Sequence, residues 1–186
     1  MRTLRRRPAS LLTALLFLIS PAFAQDAAVP LKCFYSGQPA KPEFNLDYEG
    51  VTYGFCSAEN RKKFEDERAA SLYQRLGGKG AINAAVDLFY TKVLADERVN
   101  HFFEDTNMKA QHAKQKAFLS AALGAPTPWT GKDMRKAHEN LDLKEADFNA
   151  IAENLQATLK ELKIDDKLIA EVMAIVATTK KDVLNQ

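Results

Sequence analysis

The stretch that decides the fold runs from residue 81 to residue 95 and reads AINAAVDLFYTKVLA. Its apolar side chains recur at steps of three and four, which is the spacing that places side chains on one face of an α-helix. The stretch therefore predicts a long helix with one buried face. The members of that face are Ile82, Ala85, Val86, Phe89, Tyr90, Val93 and Leu94.

The same helical period returns three times on the C-terminal side of this stretch. Met108 to Leu123 forms the next helical segment, which Gly124 and Pro126 end. Two further segments follow, separated by a break near Asp165-Asp166. No segment after Ser71 indicates a strand with comparable strength, so residues 71–186 are predicted to form a mainly α domain. The apolar positions of the last two segments are Phe148, Ile151, Leu155, Leu159 and Leu162, then Leu168, Ile169, Val172, Met173 and Val176.

Residues 25–70 show a different pattern. Apolar and aromatic residues alternate on both sides of Glu49-Gly50, which predicts a short hairpin between Phe44 and Phe55. Ser57 then opens a short helix that buries Phe64. The predicted organisation is a small α+β N-terminal module followed by the helical domain.

Residues 1–24 have the features of an export signal. The basic run Arg5-Arg6-Arg7 precedes an apolar run from Leu11 to Ile19, and Ala22-Phe23-Ala24 is a small-x-small cleavage site. The apolar run is about half of the roughly 20 residues that span a bilayer, so we expect no stable membrane anchor. We expect cleavage near Ala24 and release into the periplasm or the medium, with general secretion favoured over the twin-arginine route.

The charge balance gives no indication of a nucleic-acid partner. Four of the 26 basic residues and none of the 24 acidic residues lie in the first 24 positions, which leaves 22 basic against 24 acidic residues in the mature chain. A protein that binds nucleic acid through its phosphates has an excess of basic residues. An apolar content of 46% is that of an ordinary globular protein.

Three polar residues stand on helix faces that are otherwise apolar. Tyr90 lies on the stripe of the first helix, and Gln111 and Gln115 share a face of the second. A buried polar group without a partner costs roughly 1–3 kcal/mol, so these side chains need partners. They either bond to one another, to water or to the backbone, or together they form one wall of a polar pocket.

If these polar residues line one side of a pocket, one of the three histidines could face them from the other side as a metal ligand. His138 lies on a short segment, from Met134 to Asn140, and a neutral imidazole is the usual proximal ligand of haem iron in globins. His101 precedes two phenylalanines and is expected to be exposed. His112 lies about 100° round the helix from Gln111, which favours a surface role over coordination as a sixth ligand.

Several motifs from Ser71 onward resemble those of group I truncated haemoglobins. They read SLYQRLGG at 71–78, FY at 89–90 with VLAD at 93–96, FF at 102–103, TNM at 106–108, AALG at 121–124, and TG at 130–131 leading through Met134 to His138. The resemblance extends over about 115 residues, to about Leu184. The sequence departs from the family at Ala125, where the second glycine of a Gly-Gly pair usually stands.

The resemblance implies a two-over-two helical sandwich that holds one haem b per chain. It implies His138 as the proximal iron ligand and reversible binding of O2, NO or CO on the other face. Nitric oxide dioxygenase or peroxidase-like turnover is the alternative; it requires an external electron donor, because the sequence has no flavin or nicotinamide fingerprint. The other residues implied are Tyr90, Gln111 and Gln115 on the distal side, Phe103 on the haem face, and Phe118, Leu119 and Phe148 along the pocket or its access route.

The N-terminal module, over residues 31–67, resembles the small YHS or TRASH type of metal-associated domain. That family commonly has further cysteines where this chain has Ser36 and Asn60, and two cysteines cannot fill a four-thiolate site. For an exported module this small we expect a Cys33–Cys56 disulfide. Two free thiols are the alternative, and a periplasmic haem or metal redox sensor is a further hypothesis. The motifs that resemble the family are Cys33 with Gly37, YEGVTY at 48–53, FCS at 55–57 and KKF at 62–64.

Overall fold

The computed structural model describes residues 31–185. The predicted export signal, residues 1–24, lies outside the described residues, as do residues 25–30 and Gln186. Within the described part of the chain, no helix combines the length and the apolar character needed to cross a membrane.

The N-terminal module contains the predicted hairpin and helix. Strands β1 (Leu46–Tyr48) and β2 (Val51–Tyr53) pair antiparallel. Glu49 and Gly50 connect them, both with positive φ (51° and 82°), as a two-residue type I′ turn requires. Helix α1 (Ala58–Ala70) begins after Ser57, whose hydroxyl oxygen accepts the backbone N–H of Asn60 as an N-cap.

Aromatic packing forms the core of this module. Phe55 and Phe64 are fully buried, and the ring centroids of Phe34, Tyr48 and Tyr53 lie 4.9–5.7 Å from that of Phe64. Edge-on and tilted aromatic contacts each contribute about 0.5–1.5 kcal/mol beyond area burial. These contacts stabilise a module that is too small to build a large aliphatic core.

The predicted Cys33–Cys56 disulfide is wrong for this structure, in which both cysteines are free thiols. Their sulfur atoms both face one amide, since Asn60 Nδ2 lies 3.5 Å from Cys33 Sγ and 3.3 Å from Cys56 Sγ. The Ser36 hydroxyl lies 3.5 Å from Cys56 Sγ. Each sulfur therefore has polar neighbours instead of a covalent partner, and the aromatic core holds the module together.

The helical domain has the predicted architecture. Helix α3 (Gly78–Ala95) packs against both α4 (Met108–Ala122) and α6 (Glu145–Glu161), and α6 packs against α7 (Asp166–Thr178), which gives the helix pairs of a two-over-two sandwich. Short helices stand at the start of this domain and on either side of α6 and α7. The bounds are α2 (Leu72–Arg75), α3 (Gly78–Ala95), α4 (Met108–Ala122), α5 (Met134–Ala137), α6 (Glu145–Glu161), α7 (Asp166–Thr178) and α8 (Lys180–Val183).

Helix α3 lies at the centre of the core. It contributes seven buried residues, among them the predicted Ile82, Val86, Phe89, Tyr90 and Val93, whereas Leu94, predicted on the same face, is exposed. Helices α6 and α7 contribute far fewer, and α4 contributes none. The apolar face of α4 is therefore only partly covered by the rest of the chain.

The hairpin turn contacts the start of α3. The Glu49 carboxylate accepts the Tyr73 hydroxyl at 2.6 Å and the backbone N–H of Lys79 at 3.1 Å. Gly77, the N-cap residue, supplies no side-chain cap, so Glu49 satisfies one of the free N–H groups in the first turn of α3. Tyr48 adds a hydrogen bond of 2.9 Å to Gln74. The hairpin thus stabilises the helix that carries Tyr90.

Candidate functional site

Tyr90 is the buried polar group at the centre of the site. Its side chain is 2% exposed, and its oxygen accepts a hydrogen bond of 2.9 Å from Gln111 Nε2. Burial raises the pKa of Tyr90, and this effect outweighs the lowering by the Gln111 bond. Because the amide donates to the phenol oxygen, the hydroxyl proton stays available for another acceptor. Phe103 meets the Tyr90 ring edge-on at 5.8 Å.

His112 lies against Tyr90, which the sequence analysis did not predict. The two rings stack with centroids 4.7 Å apart and planes at 21°. His112 Nδ1 is 2.8 Å from Asp87 Oδ1, and Lys116 Nζ is 2.7 Å from the same oxygen. The hydrogen bond from Lys116, followed by that with His112, lowers the pKa of Asp87. The expected surface role for His112 is therefore wrong in part, because its ring is half-buried against Tyr90.

The other predicted residues of α4 lie on its partly covered face. Gln115 is half-buried, and within residues 31–185 its side chain makes no hydrogen bond to the protein. Leu119 packs against the core cluster, and Phe118 meets Trp129 edge-on at 5.7 Å. Gln111 and Tyr90 bond to each other, which is one of the alternatives that the sequence left open, whereas Gln115 is not part of their hydrogen bond.

His138 directly follows helix α5 and is half-buried. Its Nδ1 lies 2.8 Å from the backbone carbonyl oxygen of Met134, so Nδ1–H donates to that carbonyl. This bond fixes the tautomer in which the Nε2 lone pair is free to coordinate a metal. The His138 carbonyl in turn accepts a bond of 3.2 Å from the Asn185 amide.

Contacts at both ends hold the segment that runs from Trp129 to His138. At its start, Trp129 Nε1 donates to the Lys132 carbonyl at 2.9 Å, and a Cβ at Gly131 would lie 2.0 Å from the Trp129 ring. At its end, α5 packs against α8, with Arg135 paired to Asp182 at 3.1 Å. Gly131 therefore allows the close packing that positions α5.

Phe148 lies on α6 and is half-buried, with Lys180 Nζ 5.9 Å from its ring centre. In the described part of the chain, no hydrogen bond or ring contact joins Phe148 or His138 directly to Tyr90 or to the residues that contact its ring and hydroxyl.

The donor set fits haem better than a bare metal ion. One imidazole has a free Nε2, and residues 31–185 contain no group of three or more His, Cys, Asp or Glu side chains that could hold a metal ion. The half-exposed apolar side chains of α4, among them Met108, Phe118 and Leu119, form a surface suited to a flat apolar group. A single imidazole nitrogen and an exposed apolar helix face are features that a haem could use, the nitrogen as an iron ligand and the apolar face as a packing surface.

Comparison with known proteins identifies the class of protein. A family profile described as bacterial-like globin matches residues 71–185, more than half of the chain. The chain is 47% identical over 116 residues to the group 1 truncated hemoglobin of Tetrahymena thermophila, which covers 62% of this chain and 96% of that protein.

Solved structures agree with this match. The Fe(III) form of the truncated hemoglobin from Tetrahymena pyriformis has a TM-score of 0.60 at 49% identity, covering 61% of this chain and 97% of that one. The cyanomet 2/2 hemoglobin of Synechococcus sp. PCC 7002, with covalently attached heme, has a TM-score of 0.61 at 49% identity, covering 63% and 100%. This chain belongs to the bacterial-like globin family and is related to the group 1 truncated haemoglobins, and its cofactor is haem.

The two thiols of the N-terminal module form a second chemical cluster. Burial raises the pKa of Cys33, but hydrogen bonds from the Ser36 hydroxyl and from backbone N–H groups lower it more, to about 6. Cys33 is 2% exposed, whereas Cys56 is half-exposed. The pair therefore combines a buried thiol that ionises near neutral pH with a more accessible thiol.

Proposed function

We propose that this chain is an exported haem protein that reversibly binds a diatomic gas, with O2 as the default ligand and NO or CO as others. The observation that carries the proposal is the hydrogen bond from Gln111 to the Tyr90 oxygen. That bond leaves the Tyr90 proton free to be donated to a ligand in the pocket, and the raised pKa of Tyr90 keeps the proton in place.

The proximal side of the proposal rests on His138. Haem iron, when bound, supplies the coordination site for the gas, and the free Nε2 of His138 is the nitrogen that would hold it. The Met134 carbonyl orients the imidazole and increases its basicity by accepting the Nδ1 proton. Phe103, Phe118, Leu119 and Phe148 would provide apolar contacts that keep water away.

On the distal side, two donors would act in sequence. Gln111 orients the Tyr90 hydroxyl, and Tyr90 donates to the ligand. A neutral hydrogen bond contributes about 1 kcal/mol net, and somewhat more in a dry pocket. A contribution of this size slows ligand release by about fivefold to tenfold. Gln115, on the same face of α4, is proposed as a further donor once a ligand is present.

The test of the proximal assignment is the absorption spectrum of the haem-loaded protein in ferric, ferrous and carbonmonoxy states. We expect His138→Ala to lose the globin-type Soret band and its carbonmonoxy shift, and added imidazole to restore both. His101→Ala is the matched control, because His101 is exposed and its ring rests on Phe102 at 4.1 Å. An unchanged His138→Ala spectrum would show that another histidine holds the iron.

Slow ligand release also favours a second candidate, nitric oxide dioxygenase activity. Turnover would need an external electron donor, because a dioxygenase cycle must return ferric iron to ferrous. Repeated consumption of nitric oxide with a reductant would identify an enzyme. A single stoichiometric reaction without recycling would leave a gas-binding protein.

The export part of the proposal rests on residues 1–24. We expect the protein recovered from the periplasm or medium to begin at Gln25, close after Ala24, when its N-terminus is sequenced. Full-length protein that stays in the cytoplasm would contradict export.

The thiol pair supports a third role, a haem protein that also senses metal or redox state. Both sulfurs lie within 3.5 Å of one amide nitrogen, and two thiolates suit a soft metal ion. Stoichiometric copper or zinc binding that is lost in Cys33→Ser and Cys56→Ser would support metal sensing. Metal binding that survives both changes would rule out this site.

A further inference from the structure

We propose that His112 is a positioning residue for Tyr90, held in place by Asp87 and Lys116. The inference deepens the proposed function, because it concerns the distal donor of the same site. It rests on a group of three side chains, Asp87, His112 and Lys116, which we call the clamp.

Gln111 alone does not fix the phenol ring of Tyr90. A single hydrogen bond of 2.9 Å holds the oxygen at the tip of the side chain, but the ring can still swing about Cα–Cβ if a face is open. Phe103 and Phe89 meet the ring edge-on, at 5.8 and 5.1 Å. Among the aromatic rings of residues 31–185, only His112 lies flat against it, at 4.7 Å and 21°. The imidazole therefore blocks the face that the other aromatic contacts leave open.

The clamp fixes His112 by joining the two helices. Asp87 lies one turn before Tyr90 on α3, and Lys116 lies one turn after His112 on α4. The Asp87 carboxylate accepts from both, with Oδ1 at 2.8 Å from His112 Nδ1 and at 2.7 Å from Lys116 Nζ. Because Nδ1 is engaged by Asp87 and the ring is stacked on Tyr90, His112 is oriented toward the tyrosine.

The clamp is too exposed to be explained as a main source of stability. The side chains of His112 and Lys116 are each 28% exposed and that of Asp87 is 54% exposed. Ion pairs with this exposure contribute little to folding. Their consequence is local: they hold one ring against another at the site where the distal proton is presented.

The test uses the haem-loaded protein in its carbonmonoxy form. The infrared C–O stretch reports the distal hydrogen bond, and NMR of ring-labelled tyrosine reports the motion of Tyr90. We expect His112→Ala to split or broaden the C–O band, to sharpen the Tyr90 ring signals through faster flipping, and to raise the O2 dissociation rate by about threefold to tenfold, as expected for a weakened hydrogen bond. We expect His112→Phe, which keeps an aromatic face, to retain most of the wild-type behaviour.

Asp87→Asn should give a smaller change in the same direction, and Lys116→Gln the smallest. Lys92→Gln is the matched control, because it also removes an ion pair between α3 and another helix, here with Glu161, without contact to Tyr90. If His112→Ala leaves the C–O band, ring motion and dissociation rate unchanged while Tyr90→Phe alters the band and the rate, the clamp proposal is wrong. If Tyr90→Phe also leaves the band and the rate unchanged, the proposed distal function itself is wrong.

Discussion

His112 and His138, two of the three histidines of the helical domain, are held in different ways. His112 lies between two long helices, where its ring is stacked on a buried tyrosine and bonded to an aspartate. His138 follows a helix of four residues that contributes no fully buried side chain. Its position depends on the Met134 carbonyl and on contacts at the two ends of the segment.

This difference has a functional consequence. Changes on the distal side are expected to alter how a ligand is held, because α3 and α4 keep their packing without any one polar contact. Changes near His138 are expected to alter whether haem is held at all, because the short segment has few other contacts to keep it in place. The first two predictions below test this contrast, the larger expected effect first, and the last two concern the N-terminal module.

Gly131→Val should loosen haem strongly. The new Cβ would lie 2.0 Å from the Trp129 ring, so the ring and the segment leading to His138 must move. We expect haem loss to a haem-scavenging apoglobin to become at least about tenfold faster, equivalent to roughly 1.4 kcal/mol of binding. Gly80→Ala is the matched control, because a Cβ there meets nothing within 4 Å. Equal haem loss in the two variants would contradict the idea that the loop positions His138.

Tyr90→Phe should leave haem bound but weaken ligand retention. The change removes the only proton that Tyr90 can donate, so we expect O2 dissociation to be about fivefold to tenfold faster, from about 1–1.4 kcal/mol of lost hydrogen bonding. Stopped-flow dissociation measures the effect. Tyr53→Phe, in the N-terminal module, should leave the rate unchanged. If Tyr90→Phe raises the rate of haem loss as much as the rate of O2 dissociation, the predicted difference between the Tyr90 side and the His138 side is wrong.

Local periodicity was sufficient to predict most of the fold. Helices α3, α4, α6 and α7 and the hairpin depend on which neighbours along the chain are apolar, and the sequence displays that pattern directly. The same pattern marked Tyr90 and Gln111, because a polar residue on an apolar stripe needs a partner. The structure shows that they bond to each other, one of the alternatives that the pattern left open.

Contacts between elements could not be predicted in this way. The stacking of His112 on Tyr90 depends on how α3 crosses α4, which the period of one helix does not determine. The available signal was that Asp87 lies three residues before Tyr90 on one helix and that Lys116 lies four residues after His112 on the next. The predicted disulfide was wrong because composition and compartment do not show where two sulfur atoms point, and here both face Asn60.

Glu49→Ala should destabilise the chain without changing ligand binding. Its carboxylate is the acceptor for Tyr73 and for the Lys79 N–H at the start of α3. Burial, and then the hydrogen bond to Glu49, raises the pKa of Tyr73, so the tyrosine remains a donor to this carboxylate. Hydrogen bonds to a charged group contribute about 1.5–3 kcal/mol, so we expect a loss of about 1–3 kcal/mol in urea unfolding. Glu43→Ala, in the turn before the hairpin, is the control, and an equal loss there would argue against a specific role for Glu49.

The last prediction concerns the Cys33 thiol and its dependence on pH. Its pKa is lowered from 9.0 to about 6 in the folded chain, so the folded state favours the thiolate. The associated stability is present above pH 9, decreases as the pH falls, and is lost below about pH 6. The difference in unfolding free energy between wild type and Cys33→Ser should therefore shift in favour of wild type as the pH rises from 6 to 9.

Ser36→Ala should move the 240 nm thiolate transition to higher pH, because the hydroxyl is the strongest of the groups that lower the pKa of Cys33. Cys56→Ser is the control, because it keeps Cys33 and Ser36. If the transition near pH 6 disappears in Cys56→Ser and survives in Cys33→Ser, then Cys56 is the thiol that ionises and the prediction for Cys33 is wrong.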